Sequence, residues 1–81
     1  MTKEETFELL KWVILQLRDN SDKLRDDPAF SRDWLAKQNY LKSCVNALSD
    51  DDKQWMDSQY SVWHKKEILP HVNPKLFNQN T

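Results

Sequence analysis

The chain has 81 residues, with 12 Lys and Arg against 13 Asp and Glu, so its net charge is close to neutral. This length allows one domain, and without a basic excess we expect no nucleic-acid partner. The sequence contains no glycine, so turns that need positive φ must use Asn or Asp or be avoided. A sheet this small would need several tight turns, so we expect an all-α protein.

The most apolar stretch covers residues 7–17 and includes Glu8 and Lys11. It is shorter than the roughly 20 apolar residues that a membrane span needs. The start of the chain shows no signal-peptide pattern, and the single cysteine, Cys44, excludes an intramolecular disulfide. We therefore expect a cytoplasmic protein with no membrane span.

The first helix is predicted at about residues 3–26. Thr2 and Glu5 stand at the spacing of a capping box, and Pro28 stops the helix. Apolar residues then recur at alternating steps of three and four, as in a coiled-coil seam: Phe7, Leu10, Ile14, Leu17 and Leu24.

The second helix is predicted at about residues 30–48. It begins either at Pro28, with Asp27 as its cap, or afresh after Ser31. Its core face combines one aromatic with aliphatic residues and the cysteine: Trp34, Leu41, Cys44, Val45 and Leu48.

The third helix is predicted at about residues 50–69, with Ser49 as its N-cap. Three aspartates follow in the first turn and complement the positive end of the helix dipole. Pro70 ends the helix. We therefore expect a small three-helix bundle in residues 1–69, followed by an irregular tail in 70–81 that contains one apolar pair, Leu76-Phe77.

The residues that could carry chemistry have simpler structural interpretations. His64 and His71 are separated by Pro70, so one helix cannot hold both in register, and a structural zinc site needs four converging ligands. Cys44 lies on an apolar helix face, where a thiol usually acts as a small core residue. We therefore expect no metal, no cofactor and no enzymatic activity.

Apolar residues exceed what a three-helix core needs. On the first helix Leu9, Trp12 and Leu15 lie outside the seam. On the third helix, Trp55, Val62 and Leu69 form one line, while a second line lies about 100–120° away: Met56, Tyr60 and Trp63. One line can face the core, and the other is left for a partner, or for a broad core if the helices pack closely.

These patterns predict a non-enzymatic protein that regulates or inhibits a partner protein by stoichiometric binding. Its length and lack of glycine are typical of phage or mobile-element accessory proteins, which inhibit host defence or transcription or regulate lysis. A homodimer is the simplest partner, because two-fold symmetry lets one patch cover itself. The residues predicted to bind the partner are Leu9, Trp12, Leu15, Met56, Tyr60 and Trp63.

An alternative is an oligomer that binds a small ligand or nucleotide in a pocket between helices. Lys11, Lys65 or Lys66 would contact anionic groups, and Trp or Tyr would stack on bases.

Overall fold

The computed structural model describes residues 1–71, which are helical and contain no strand. They form α1 (Lys3–Asp19), α2 (Ser21–Asp26), α3 (Pro28–Asn46), α4 (Asp50–Glu67) and a final 3₁₀ helix (Leu69–His71). The all-α prediction is confirmed, while the three-helix description is only approximate. Pro70 falls within the 3₁₀ helix, and the rest of the predicted tail, including Leu76-Phe77, lies outside the described residues.

The prediction of one continuous helix over residues 3–26 is wrong, because the helix breaks at Asn20. This residue has φ −130° and ψ 32°, and its side-chain amide donates to Oε1 of Gln16 over 2.6 Å. Asn and Ser are poor residues for a helix interior, since their side chains bond to nearby polar groups in other conformations. The break lets α2 turn against α3, where the Lys23 ammonium lies 4.7 Å from the Phe30 ring centroid.

The capping signals at the helix starts are confirmed. Thr2 and Glu5 form the reciprocal box, with bonds of 3.0 and 3.1 Å between each backbone N–H and the other side chain. Asp27 accepts from the backbone N–H groups of Ala29 and Phe30, so α3 begins at Pro28, two residues before the predicted start.

The third start signal is also confirmed, because Ser49 Oγ accepts from the backbone N–H of Asp52 at the start of α4. The Asp52 carboxylate pairs with Lys3 of α1 instead of returning to the cap. Both later helices end two residues before their predicted ends, at Asn46 and Glu67. No residue in the described part has positive φ, so these turns need no glycine.

Helix α1 lies between α3 and α4. It runs parallel to α4, because Lys3 pairs with Asp52 near the starts of both helices and Arg18 donates to the Glu67 carbonyl near their ends. It runs antiparallel to α3. There Trp34, near the start of α3, donates to the carbonyl of Val13 over 3.1 Å. The three long helices therefore run up, down and up, with α3 opposite in direction to α1 and α4.

The core is thin. Within residues 1–71, four hydrophobic side chains are buried, and they come from all three long helices: Phe7, Val13, Leu41 and Met56. Thr6 is fully buried beside them, with its hydroxyl donating to the Thr2 carbonyl. The Cα atoms span 40 × 33 × 17 Å, about two helix layers in the thin direction.

Replacing Phe7 by Ala is expected to lower the free energy of unfolding by about 3 kcal/mol or more, since it removes a large side chain from this small core. Urea denaturation followed by circular dichroism measures the change. Val62→Ala, at an exposed position of α4, is the control and is expected to change it by less than about 0.5 kcal/mol. Equal effects of the two substitutions would contradict the central role of Phe7.

The capping box at Thr2 predicts an acid-sensitive contribution to stability. Hydrogen bonds with Thr2 lower the pKa of Glu5. Its carboxylate therefore stabilises the fold above its unfolded-state pKa, and this contribution is lost as the pH falls through the lower folded-state pKa.

The difference in urea midpoint between the natural protein and Glu5→Ala should accordingly be present at neutral pH and shrink towards pH 3. Glu5→Gln is the control, since Gln keeps the capping geometry without a titrating group. A difference that is constant over this pH range would refute the assignment.

Candidate interaction groove

An apolar groove opens where α1, α3 and α4 meet. It encloses about 410 Å³, and its lining consists mainly of aliphatic and aromatic side chains: Leu10, Ile14, Val45, Lys53, Met56, Asp57 and Tyr60. We call this the central groove. Leu10 and Ile14, its two residues from α1, belong to the coiled-coil seam that the sequence shows.

The groove exists because α3 and α4 are attached to different sides of α1. On the α4 side, the Phe7 ring lies edge-on to Trp55 and Trp63, with centroids 5.9 and 6.5 Å away. On the α3 side, Trp34 holds the backbone of Val13. These attachments leave the seam open between the two outer helices.

One end of the groove lies towards the C-terminal end of α1. Leu17 follows Leu10 and Ile14 at the i, i+4, i+7 spacing of one helix face, and its side chain is 50% exposed. Arg18 beside it bonds to the carbonyl of Glu67, so this part of the seam lies next to the end of α4. Leu17 itself is not among the residues that line the groove.

The α4 wall carries both charge signs and an aromatic pair. Lys53 and Asp57 line it four residues apart, and within residues 1–71 neither forms an ion pair. Tyr60 follows, with its ring 5.3 Å from that of His64 and 6.2 Å from that of Trp63. Polar groups on this wall are thus available to an occupant of the groove.

On α4, the line predicted to bind a partner lies largely on the inner side of the helix. Met56 is 5% exposed, and Tyr60 and Trp63 are half-buried, so this line faces α1. Val62 is 55% exposed and lies on the outside. Phe7 contacts Trp63 from this line and Trp55 from the other, so both lines pack partly against α1. Partner binding by Met56, Tyr60 and Trp63 stays a prediction, and the first two line the central groove.

The three residues predicted on the first helix, Leu9, Trp12 and Leu15, are all half-buried. The Trp12 ring lies beneath α3, with the Lys37 ammonium 4.5 Å from its centroid. None of the three lines the groove. The structure therefore does not bring the six predicted residues together on one surface.

Lysine ammonium groups lie over three of the aromatic rings. Lys3 lies 5.0 Å from the Trp55 ring and Lys11 lies 5.1 Å from the Phe7 ring, as Lys37 does for Trp12. A lysine stem covers apolar surface while its ammonium stays in water. Part of the apolar surplus is thus covered within the chain itself.

The other candidate groups have structural partners. Cys44 is half-buried and lines a smaller pocket of about 210 Å³ with Tyr40 and Met1. Its hydrogen bond with Tyr40 raises the pKa of that phenol.

Lys11, predicted as an anion contact, pairs with Glu8. Neither it nor the exposed Lys65 and Lys66 lines the central groove.

Comparison with protein families, curated proteins and solved structures finds no match to this chain. No group of three metal-ligating side chains occurs among the residues described. None of the helices in that range combines the length and hydropathy that a membrane crossing requires.

Substitutions at two valines test whether the groove is open while the core is tightly packed. Val45→Phe adds volume in the groove and is expected to change the free energy of unfolding by less than about 0.5 kcal/mol. Val13→Phe, at a residue that is 4% exposed, is expected to cost about 1–3 kcal/mol by overpacking. Urea denaturation compares the two, and an equal loss at Val45 would show that the groove is closed.

Proposed function

We propose that this protein is a non-enzymatic binding protein whose central groove takes up a helix of another protein chain. The observation that carries the proposal is the coiled-coil seam of α1, which stays uncovered between α3 and α4 from Leu10 to Leu17. An apolar seam of this kind normally lies against another helix. The proposed outcome of binding is stoichiometric regulation or inhibition of the partner.

The groove fits an amphipathic helix. The apolar residues of α1 that form its floor recur at the three- and four-residue spacing by which packed helices interdigitate. Apolar residues on both walls can contact the apolar stripe of a helix inserted between them. Lys53 and Asp57 on the α4 wall can pair with charges that flank such a stripe. A second copy of this chain is the simplest source, because two equivalent seams can cover each other around a two-fold axis.

Association is tested with Leu17→Lys and a matched control, Val62→Lys. Both residues are half-exposed aliphatics in helices, but Val62 lies about 160° around α4 from Tyr60 at 100° per residue. Leu17→Lys is expected to weaken association at least about tenfold, as polar substitutions at interface centres do. Val62→Lys is expected to leave it unchanged.

Sedimentation velocity over a concentration series measures self-association. Pull-down of the tagged full-length chain from a lysate, quantified by mass spectrometry, measures association with other proteins. Circular dichroism verifies that both variants keep their helices. Association that survives Leu17→Lys, or that both variants weaken equally, would overturn the groove as the binding site.

A further inference from the structure

Two opposite charges stand side by side on the α4 wall of the central groove. Lys53 and Asp57 both line the groove, and among residues 1–71 neither has an ion-pair partner. Lysine before the acid is the weaker of the two orientations of an i,i+4 pair, and the two side chains do not pair with each other here. Both charges can therefore pair with groups from another chain.

These two charges are complementary to a second copy of themselves. Four helical residues rise about 6 Å, and a two-fold axis can cross α4 midway between Lys53 and Asp57. Such an axis places Lys53 of one copy level with Asp57 of the second copy, and the symmetry makes the same pair twice. A parallel arrangement would instead place like charges opposite each other, which costs free energy. The charge order thus favours two antiparallel α4 helices.

The ends of α4 favour the same orientation. Its first turn carries the three aspartates at positions 50–52, and its last turn carries His64, Lys65 and Lys66. An antiparallel copy brings the basic end of one helix towards the acidic start of the other. A parallel copy would bring ends of the same sign together.

The stripe of α4 that carries the two charges also carries apolar residues of the groove. Met56 lies between them and Tyr60 follows one turn later, at the three- and four-residue spacing of one helix face. The same stripe is therefore a wall of its own groove and a surface that a second copy can cover. Tyr and Met are among the residue types enriched at interfaces.

We infer that the central groove takes up α4 of a second copy, packed antiparallel, with two reciprocal ion pairs between Lys53 and Asp57. The inference rests on the proposed function and specifies it, because it names the occupant, its direction and its register. Each α4 then covers the groove of the other copy, including Leu10 and Ile14 on the floor and Val45 on the α3 wall.

The first test reverses each charge in the full chain. Lys53→Asp alone and Asp57→Lys alone are each expected to weaken self-association at least about tenfold, because each places two pairs of like charge across the two-fold axis. Both substitutions in one chain exchange the charges and are expected to restore the dissociation constant to within about threefold of the natural value.

The matched control is Lys66→Asp, at an exposed position about 180° around α4 from Asp57 at 100° per residue. It should leave the dissociation constant unchanged. Sedimentation velocity over a concentration series measures each constant, and circular dichroism verifies the helix content. A natural chain that stays monomeric at about 0.1 mM, single variants that associate as the natural chain does, or a double variant that is not restored would overturn the inference.

The second test mixes the two single variants. In a mixed dimer every lysine again lies opposite an aspartate, so mixed dimers are expected to exceed dimers of either variant at least about tenfold. Native mass spectrometry, with one variant labelled with a heavy nitrogen isotope, measures the mixed and unmixed dimers. No preference for mixed dimers would overturn the antiparallel register.

Val45→Lys separates the inference from the proposed function, because it places a charge in the groove away from the α4 stripe. It is expected to weaken self-association at least about tenfold as well. If the charge reversals change nothing but Val45→Lys removes a protein that the natural chain captures from a lysate, the groove binds a different helix and only the inference fails. If neither kind of variant changes any association, the proposed function fails with it.

Discussion

The contact of the Phe7 ring with Trp55 and Trp63 is the constraint on which the rest of this structure depends. It joins α4 to the parallel helix α1 through one tryptophan from each of the two apolar lines of α4. Edge-to-face aromatic contacts add stability beyond the burial of area. In a core with so few buried side chains, this contact is a large part of what holds α4 against α1.

A thin domain with many aromatic rings has to keep their faces from water without a large core. This chain does so with lysines, which cover the rings of Trp12, Trp55 and Phe7 while keeping their ammonium groups solvated. Because lysine side chains cover these rings, the number of aromatic residues alone overestimates the apolar surface that stays exposed. Exposed large hydrophobic residues remain on several faces, among them Leu35, Tyr40 and Val62, and the central groove adds an apolar cleft between the three long helices.

Most of the helix boundaries could be predicted from the sequence, because caps and prolines act locally. Thr2, Asp27 and Ser49 satisfy backbone N–H groups within three residues of themselves, and such signals are readable without tertiary knowledge. The break at Asn20 was missed because Asn in a helix costs little by itself. It becomes decisive only when α2 gains contacts with α3.

The sequence by itself determined that this protein is helical, which residues cap its three long helices and that α1 carries a coiled-coil seam. These features depend on local hydrogen bonds and on the periodicity of apolar residues. Only the tertiary structure decided which apolar line of α4 faces inward, which rings the lysines cover and where the seam stays open. Those choices depend on contacts between residues far apart in the sequence, such as Trp12 with Lys37, 25 positions apart, or Phe7 with Trp63, 56 positions apart. Helical periodicity specifies the faces of a helix but not its neighbours.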